Sequence, residues 1–204
     1  DMAEKNLDFD TVIDRTHTNS LKYDFAVQRG KPKDVLPLWV ADMDFQVSSY
    51  IQEALSGSVA HGIFGYSEAE GSYFEAVAGW MSRHYGWNVE EPWLVKTPGI
   101  VFALAQAVRA FTEPGDAVLL QQPVYYPFSQ VIRDNGRKIV DNTLVQGEDG
   151  RYRIDFTDFE EKIRSCKVKL FFLCNPHNPV GRVWTREELL RLGDICEKYG
   201  VIVV

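Results

Sequence analysis

Asn175-Pro176-His177-Asn178-Pro179-Val180-Gly181 follows directly on the apolar run Val168 to Cys174. Two asparagines flanked by prolines and closed by a glycine cannot continue a strand or enter a helix, because proline lacks the amide hydrogen and fixes its own φ. The segment reads as a strand-end turn whose amides converge on one place, and ligands of open parallel sheets bind at the carboxyl ends of strands. Gln122-Pro123-Val124-Tyr125-Tyr126-Pro127 is a second proline-bounded loop directly after an apolar run. Lys96-Thr97-Pro98-Gly99-Ile100-Val101 brings the chain to the start of a helix through a glycine. Unpaired amides and partial positive charge at such a start can hold a phosphate without a dedicated lysine. His61-Gly62-Ile63-Phe64-Gly65-Tyr66-Ser67 is glycine-punctuated and aromatic. No GxxxxGK[ST] run occurs, so nucleotide hydrolysis is not supported.

The elements that must position these segments follow from periodicity. Residues 1–49 read as irregular, an arm or part of a small domain whose main apolar feature is Trp39 to Phe45. Residues 50–204 read as the N-terminal portion of a larger domain. Tyr50 to Val59 is a short helix, and Tyr73, Phe74, Val77, Trp80, Met81 and His84 trace one face of a longer one. A helix from Gly99 to Phe111 leads into strand Ala117 to Leu120, helix Pro127 to Asn135, strand Lys138 to Leu144 and strand Val168 to Leu173. Thr157-x-x-Glu160 and Thr185-x-x-Glu188 read as capping boxes of two further helices, the second with Leu189, Leu192, Cys196 and Tyr199 on one face. Alternating strands and helices predict an α/β fold in three layers, a mainly parallel sheet with helices on both faces.

Of the 204 residues, 45% are hydrophobic and 25% charged, with a net charge of -7, the profile of a soluble, cytoplasmic globular protein. That balance argues against nucleic acid or an anionic membrane as partner. The three cysteines form no CxxC pair and are expected to be reduced core thiols. His17, His61, His84 and His177 have no metal-ligand spacing, so no metal is expected. The acidic stretch Asp1 to Asp14 has no long apolar run, and neither a signal peptide nor a membrane span is expected.

Cys174 to Arg182, CNPHNPVGR, resembles the Asn-Pro-x-Asn-Pro-x-Gly loop of fold type I pyridoxal phosphate (PLP) enzymes, the class I/II aminotransferase superfamily. The resemblance implies that Asn178 donates to the phenolate oxygen of the cofactor ring; Val180 stands where threonine is familiar. It makes Gly99, Ile100 and Val101 the phosphate cup. Pro123 to Phe128 is similar to the family's Pro-x-Tyr-x-x-Phe pattern, which implies that Tyr125, the catalytic candidate, stacks on the ring face. It further implies a homodimer in which Tyr66 reaches the phosphate of the neighbouring subunit.

Ala41-Asp42-Met43-Asp44-Phe45 together with His61 to Ser67 is similar to the MalY/PatB-type cystathionine beta-lyase branch, with Ala41 where serine is common. The branch implies β-elimination from a small-molecule substrate, a sulfur-containing L-amino acid, to pyruvate, ammonia and a thiol. Transamination shares the steps up to the Cα carbanion and is the alternative. A regulatory role through protein contacts is a reading of another class. None of the ten lysines falls at a position for the aldimine. The terminal run Gly200 to Val204 reads as a strand approaching the sheet edge. The aldimine lysine, the aspartate that pairs with the pyridinium nitrogen and the carboxylate-binding arginine are accordingly expected beyond Val204.

Overall fold

The computed structural model describes residues 8–204, so the first part of the acidic stretch Asp1 to Asp14 lies outside the described residues. In chain order the elements are α1 (Ser49–His61), α2 (Gly71–Tyr85), α3 (Ile100–Phe111), β1 (Ala117–Leu120), α4 (Pro127–Asp134), β2 (Lys138–Asp141), β3 (Val145–Gln146), β4 (Tyr152–Arg153), α5 (Phe156–Cys166), β5 (Leu170–Phe171), α6 (Arg186–Tyr199) and β6 (Ile202–Val203). Contacts group the chain into two compact units that part between Tyr73 and Phe74.

In the second unit, a four-stranded sheet of order β2-β1-β5-β6 is parallel throughout. Successive side chains of a strand point to opposite faces, and this alternation sorts the core. Ala117, Leu119 and Phe171 pack with Phe159 and Ile163 of α5 and Leu192, Ile195 and Cys196 of α6. Val118, Leu120, Leu170 and Phe172 pack with Leu104 and Val108 of α3 and Val131 and Ile132 of α4. The three-layer α/β arrangement expected from the alternating pattern is therefore present, and all four residues of β1 are buried. Leu189 and Tyr199 also pack against the first core, as the α6 stripe requires.

Helix ends follow their side chains. The Thr185–Glu188 box forms with both arms: Glu188 N donates to Thr185 Oγ1 at 3.2 Å and Thr185 N to Glu188 Oε2 at 2.8 Å. The Thr157–Glu160 box does not form. Asp155 caps α5 instead, its carboxylate accepting from Thr157 N and Asp158 N, both at 3.0 Å. Starting the helix at Phe156 turns Phe159 and Ile163 into the core, and a charged cap satisfies two of the orphan amides.

Two strands are shorter than their apolar runs. The β2 ladder ends at Asp141, whose carboxylate accepts from Gln122 N at 2.9 Å and Thr143 Oγ1 at 2.8 Å. Within Val168 to Leu173 only Leu170–Phe171 is ladder, although Val168 and Phe172 are buried beside it. The antiparallel hairpin of β3 and β4 is an element that the sequence pattern did not announce. The cysteines correct another expectation: Cys196 is a core thiol, Cys174 is half-buried, and Cys166, in the last turn of α5, is exposed.

In the first unit, the Ala41 to Phe45 segment is tied by charge. Arg15 donates through Nη2 to Asp42 Oδ2 at 2.5 Å and through Nη1 to Asp44 Oδ1 at 2.6 Å. Lys22, buried, donates to Asp42 O at 2.8 Å and Asp44 Oδ2 at 3.1 Å. The hydrogen bonds from Arg15 are the largest cause holding both carboxyls below the usual aspartate range.

Candidate functional site

The parallel register pairs Val118 with Leu170 and Leu119 with Phe171, so the loops after β1 and β5 leave the same edge of the sheet side by side. They are the two loops that carry Tyr125 and Asn178. Helix α3 is joined to β1 by a short turn and packs through Leu104 and Val108 on Val118 and Leu120. A helix that joins a strand through a short turn and packs on it runs antiparallel to it, which puts the N-terminus of α3 toward the edge where β1 ends.

The loop after β1 is held from below. Leu144 N donates to Gln122 O at 2.8 Å, and buried Gln121 donates through Nε2 to buried Asn142 Oδ1 at 2.8 Å. Asn142 in turn donates to Asp155 O at 3.0 Å and Asp158 Oδ2 at 2.8 Å. Tyr125 packs edge-on against Phe128, with centroids 6.4 Å apart, and Phe128 against Phe172 at 5.6 Å. Tyr125 remains 40% exposed, while Tyr126 is more exposed still.

The loop after β5 is a wound knot. His177 N donates to Arg182 O at 2.7 Å and Gly181 N to His177 O at 2.8 Å. Trp184, buried, donates its backbone amide to Asn175 Oδ1 at 3.1 Å and its indole to Cys174 O at 3.0 Å. Asn178 N donates to Cys174 Sγ at 3.3 Å, while its side chain is exposed. Neither the Asn178 side-chain amide nor the Tyr125 hydroxyl has a hydrogen-bond partner among the described residues.

The His177 imidazole is buried, and its Nε2 lies 3.0 Å from Pro123 O in the neighbouring loop. A carbonyl only accepts, so the proton sits on Nε2 and Nδ1 carries a lone pair, buried without a partner. Burial, the largest influence, pushes the pKa of the ring down, against the opposing pull of the backbone at Pro123, Gln121 and Cys174. The sequence reading gave this histidine no role; a buried ring between two loop prolines has no local signature.

Gly99 precedes α3 with φ of 140°, a conformation that favours glycine, and a Cβ there would meet nothing within 4 Å. No side chain caps α3, so the first-turn amides, those of Ile100 and Val101 among them, stay open to an anion. Tyr66 belongs to the first unit, in the exposed segment after α1, and its side chain is fully exposed.

The edge thus offers an uncapped helix start, a neutral amide donor and an aromatic face. Residues 33–204 match the family described as aminotransferase class I and II. Cystathionine beta-lyase PatB of Bacillus subtilis (strain 168) is 48% identical over 97% of this chain and 51% of its own length. Protein MalY of Escherichia coli (strain K12) is 33% identical over 97% of this chain and 50% of its own. The crystal structure of cystalysin from Treponema denticola, which contains a pyridoxal 5'-phosphate cofactor, superposes with a TM-score of 0.89 at 36% identity, covering 97% of this chain and 50% of that one. The chain spans about half the length of the curated relatives it matches. By the match over residues 33–204, the chain belongs to the class I and II aminotransferase family.

Proposed function

We propose that the protein is a pyridoxal 5'-phosphate enzyme that cleaves the Cβ–S bond of sulfur-containing L-amino acids such as L-cystathionine, releasing pyruvate, ammonia and a thiol. The observation that carries the reading is the set of unused binding groups at one sheet edge: the Asn178 amide, the uncapped start of α3 and the exposed Tyr125. Likeness to the cystathionine beta-lyase PatB over nearly the whole chain supports β-elimination rather than transamination.

The donor set suits this cofactor. Ile100 and Val101 amides would take the phosphate, with Gly99 leaving room for close approach. The Asn178 amide would donate to the ring oxygen, fixing the ring without adding a competing acid, and Tyr125 would cover one ring face. Bound there, the cofactor supplies an electron-withdrawing ring that stabilises negative charge at the substrate Cα. The work of this chain is to bind and orient: the hydrogen-bonded knot of residues 174–184 and the Gln121–Asn142 support hold both loops before ligand arrives.

The same reading takes the protein as a cytoplasmic homodimer with Tyr66 lending its hydroxyl to the neighbouring site, which suits the full exposure of that side chain. It takes residues 1–49 as an N-terminal arm or part of a small domain and 50–204 as the N-terminal portion of the cofactor-binding domain. Removing and restoring the cofactor tests the reading. Apoprotein should release no pyruvate from L-cystathionine, and added PLP should restore both release and visible absorbance. Equal release without PLP would refute it.

A further inference from the structure

We propose that His177 is a positioning residue: its imidazole ties the Asn178 loop to the Tyr125 loop, so that the two cofactor contacts are ordered as one unit. The inference rests on the cofactor reading above. Asn178 follows His177 directly, and Tyr125 lies just after Pro123, the residue whose carbonyl takes the Nε2 proton at 3.0 Å across 54 residues of chain. The ring is buried between the Pro123 carbonyl and the Trp184 ring. Its own backbone closes the turn through Arg182 O and Gly181 N, and Trp184 meets it edge-on with centroids 5.5 Å apart.

The strands beneath fix the two loops only as far as Leu120 and Phe171, where the ladder stops. Beyond that point the imidazole gives a hydrogen-bonded link between them, alongside the ring contact of Phe128 with Phe172. Loops that are already in place bind more tightly, since less ordering is left to occur on association. A neutral ring suffices for this tie, because its one N–H, on Nε2, serves the carbonyl. A hydrophobic residue of similar bulk would fill the space and leave Pro123 O without its donor.

The test uses the intact protein, stripped of cofactor and titrated with PLP. His177→Leu keeps much of the bulk and removes the donor; His177→Gln restores an amide near the Nε2 position. The leucine variant should bind PLP about tenfold more weakly, the change that ~1.4 kcal/mol makes, and should exchange amide hydrogens faster in both the 122–126 and 174–182 segments while α5 and α6 keep wild-type protection. The glutamine variant should recover most of both. Wild-type affinity in the leucine variant, or loosening of its own loop alone, would overturn the inference. Should the leucine variant fail to fold, His177→Asn, too short to reach Pro123 O, is compared with His177→Gln. Equal affinity and exchange in that pair would also overturn it. Absence of PLP binding by the wild-type protein would instead refute the cofactor reading, and this inference with it.

Discussion

Asn175 and Trp184 are joined by a hydrogen bond, the Trp184 amide donating to Asn175 Oδ1 at 3.1 Å. The bond separates two asparagines that look alike in the sequence. Asn175 is spent on the loop itself, whereas the Asn178 side-chain amide has no hydrogen-bond partner among the described residues. Asn175→Ala should lower stability by about 1–2 kcal/mol, because it strands an amide of a buried residue. Asn178→Ala should leave the melting temperature unchanged and weaken PLP binding with a shift in absorbance. Thermal melts and PLP titrations of the two variants check this; the opposite assignment of effects would show that the roles are reversed.

Arg15 holds both Asp42 and Asp44, and the carboxyls are pulled below the ordinary aspartate range, with its hydrogen bonds the largest cause. A depressed folded-state pKa gives stabilisation that is present above the unfolded value and lost as pH falls through the folded one. The first unit should therefore keep this tie through mildly acidic pH and lose it only below the usual aspartate titration. Carboxyl-carbon NMR titration should place both groups low in the wild type, and Arg15→Gln should move both upward. Unmoved values would show that Arg15 does not set them.

Lys167 closes α5 with φ of 51°, in the left-handed region that glycine occupies without a Cβ penalty. Its side chain is exposed, so the substitution removes little packing. Lys167→Gly should raise stability by about 0.5–1 kcal/mol, read in chemical denaturation. A loss of stability would mean that contacts of the lysine stem outweigh the backbone strain.

The cysteines should separate by reactivity. Burial pushes the Cys196 thiol up to about 11, while Cys166 is exposed in the last turn of α5. A thiolate is the reactive form. A thiol reagent at pH 8 should label Cys166 in the native protein and reach Cys196 only after unfolding. Early labelling of Cys196, followed by peptide mass, would contradict the packing of α6 on the sheet.

The sheet was legible where local signals agreed. Ala117 to Leu120 is apolar on both faces and bounded by Pro114-Gly115 and Pro123, and the strand has those limits. The edge loops were legible because prolines and glycines forbid other structure there. The start of α5 was misread because Asp155 and Thr157 both offer a cap, and burial of Phe159 and Ile163 decides between them. The β3–β4 hairpin was missed because it carries only Val145 and Tyr152 as large apolar residues. The His177–Pro123 link and the Gln121–Asn142 pair join residues distant in sequence, so they exist only once the parallel register is set.

The central claim is the reaction, and the most direct measurement is product stoichiometry. The intact protein with PLP is given L-cystathionine, and pyruvate and free thiol are assayed together, with and without an added α-keto acid. The account predicts pyruvate and thiol in equal amounts, independent of the keto acid. Turnover that requires the keto acid and releases no thiol would contradict it and make the protein an aminotransferase.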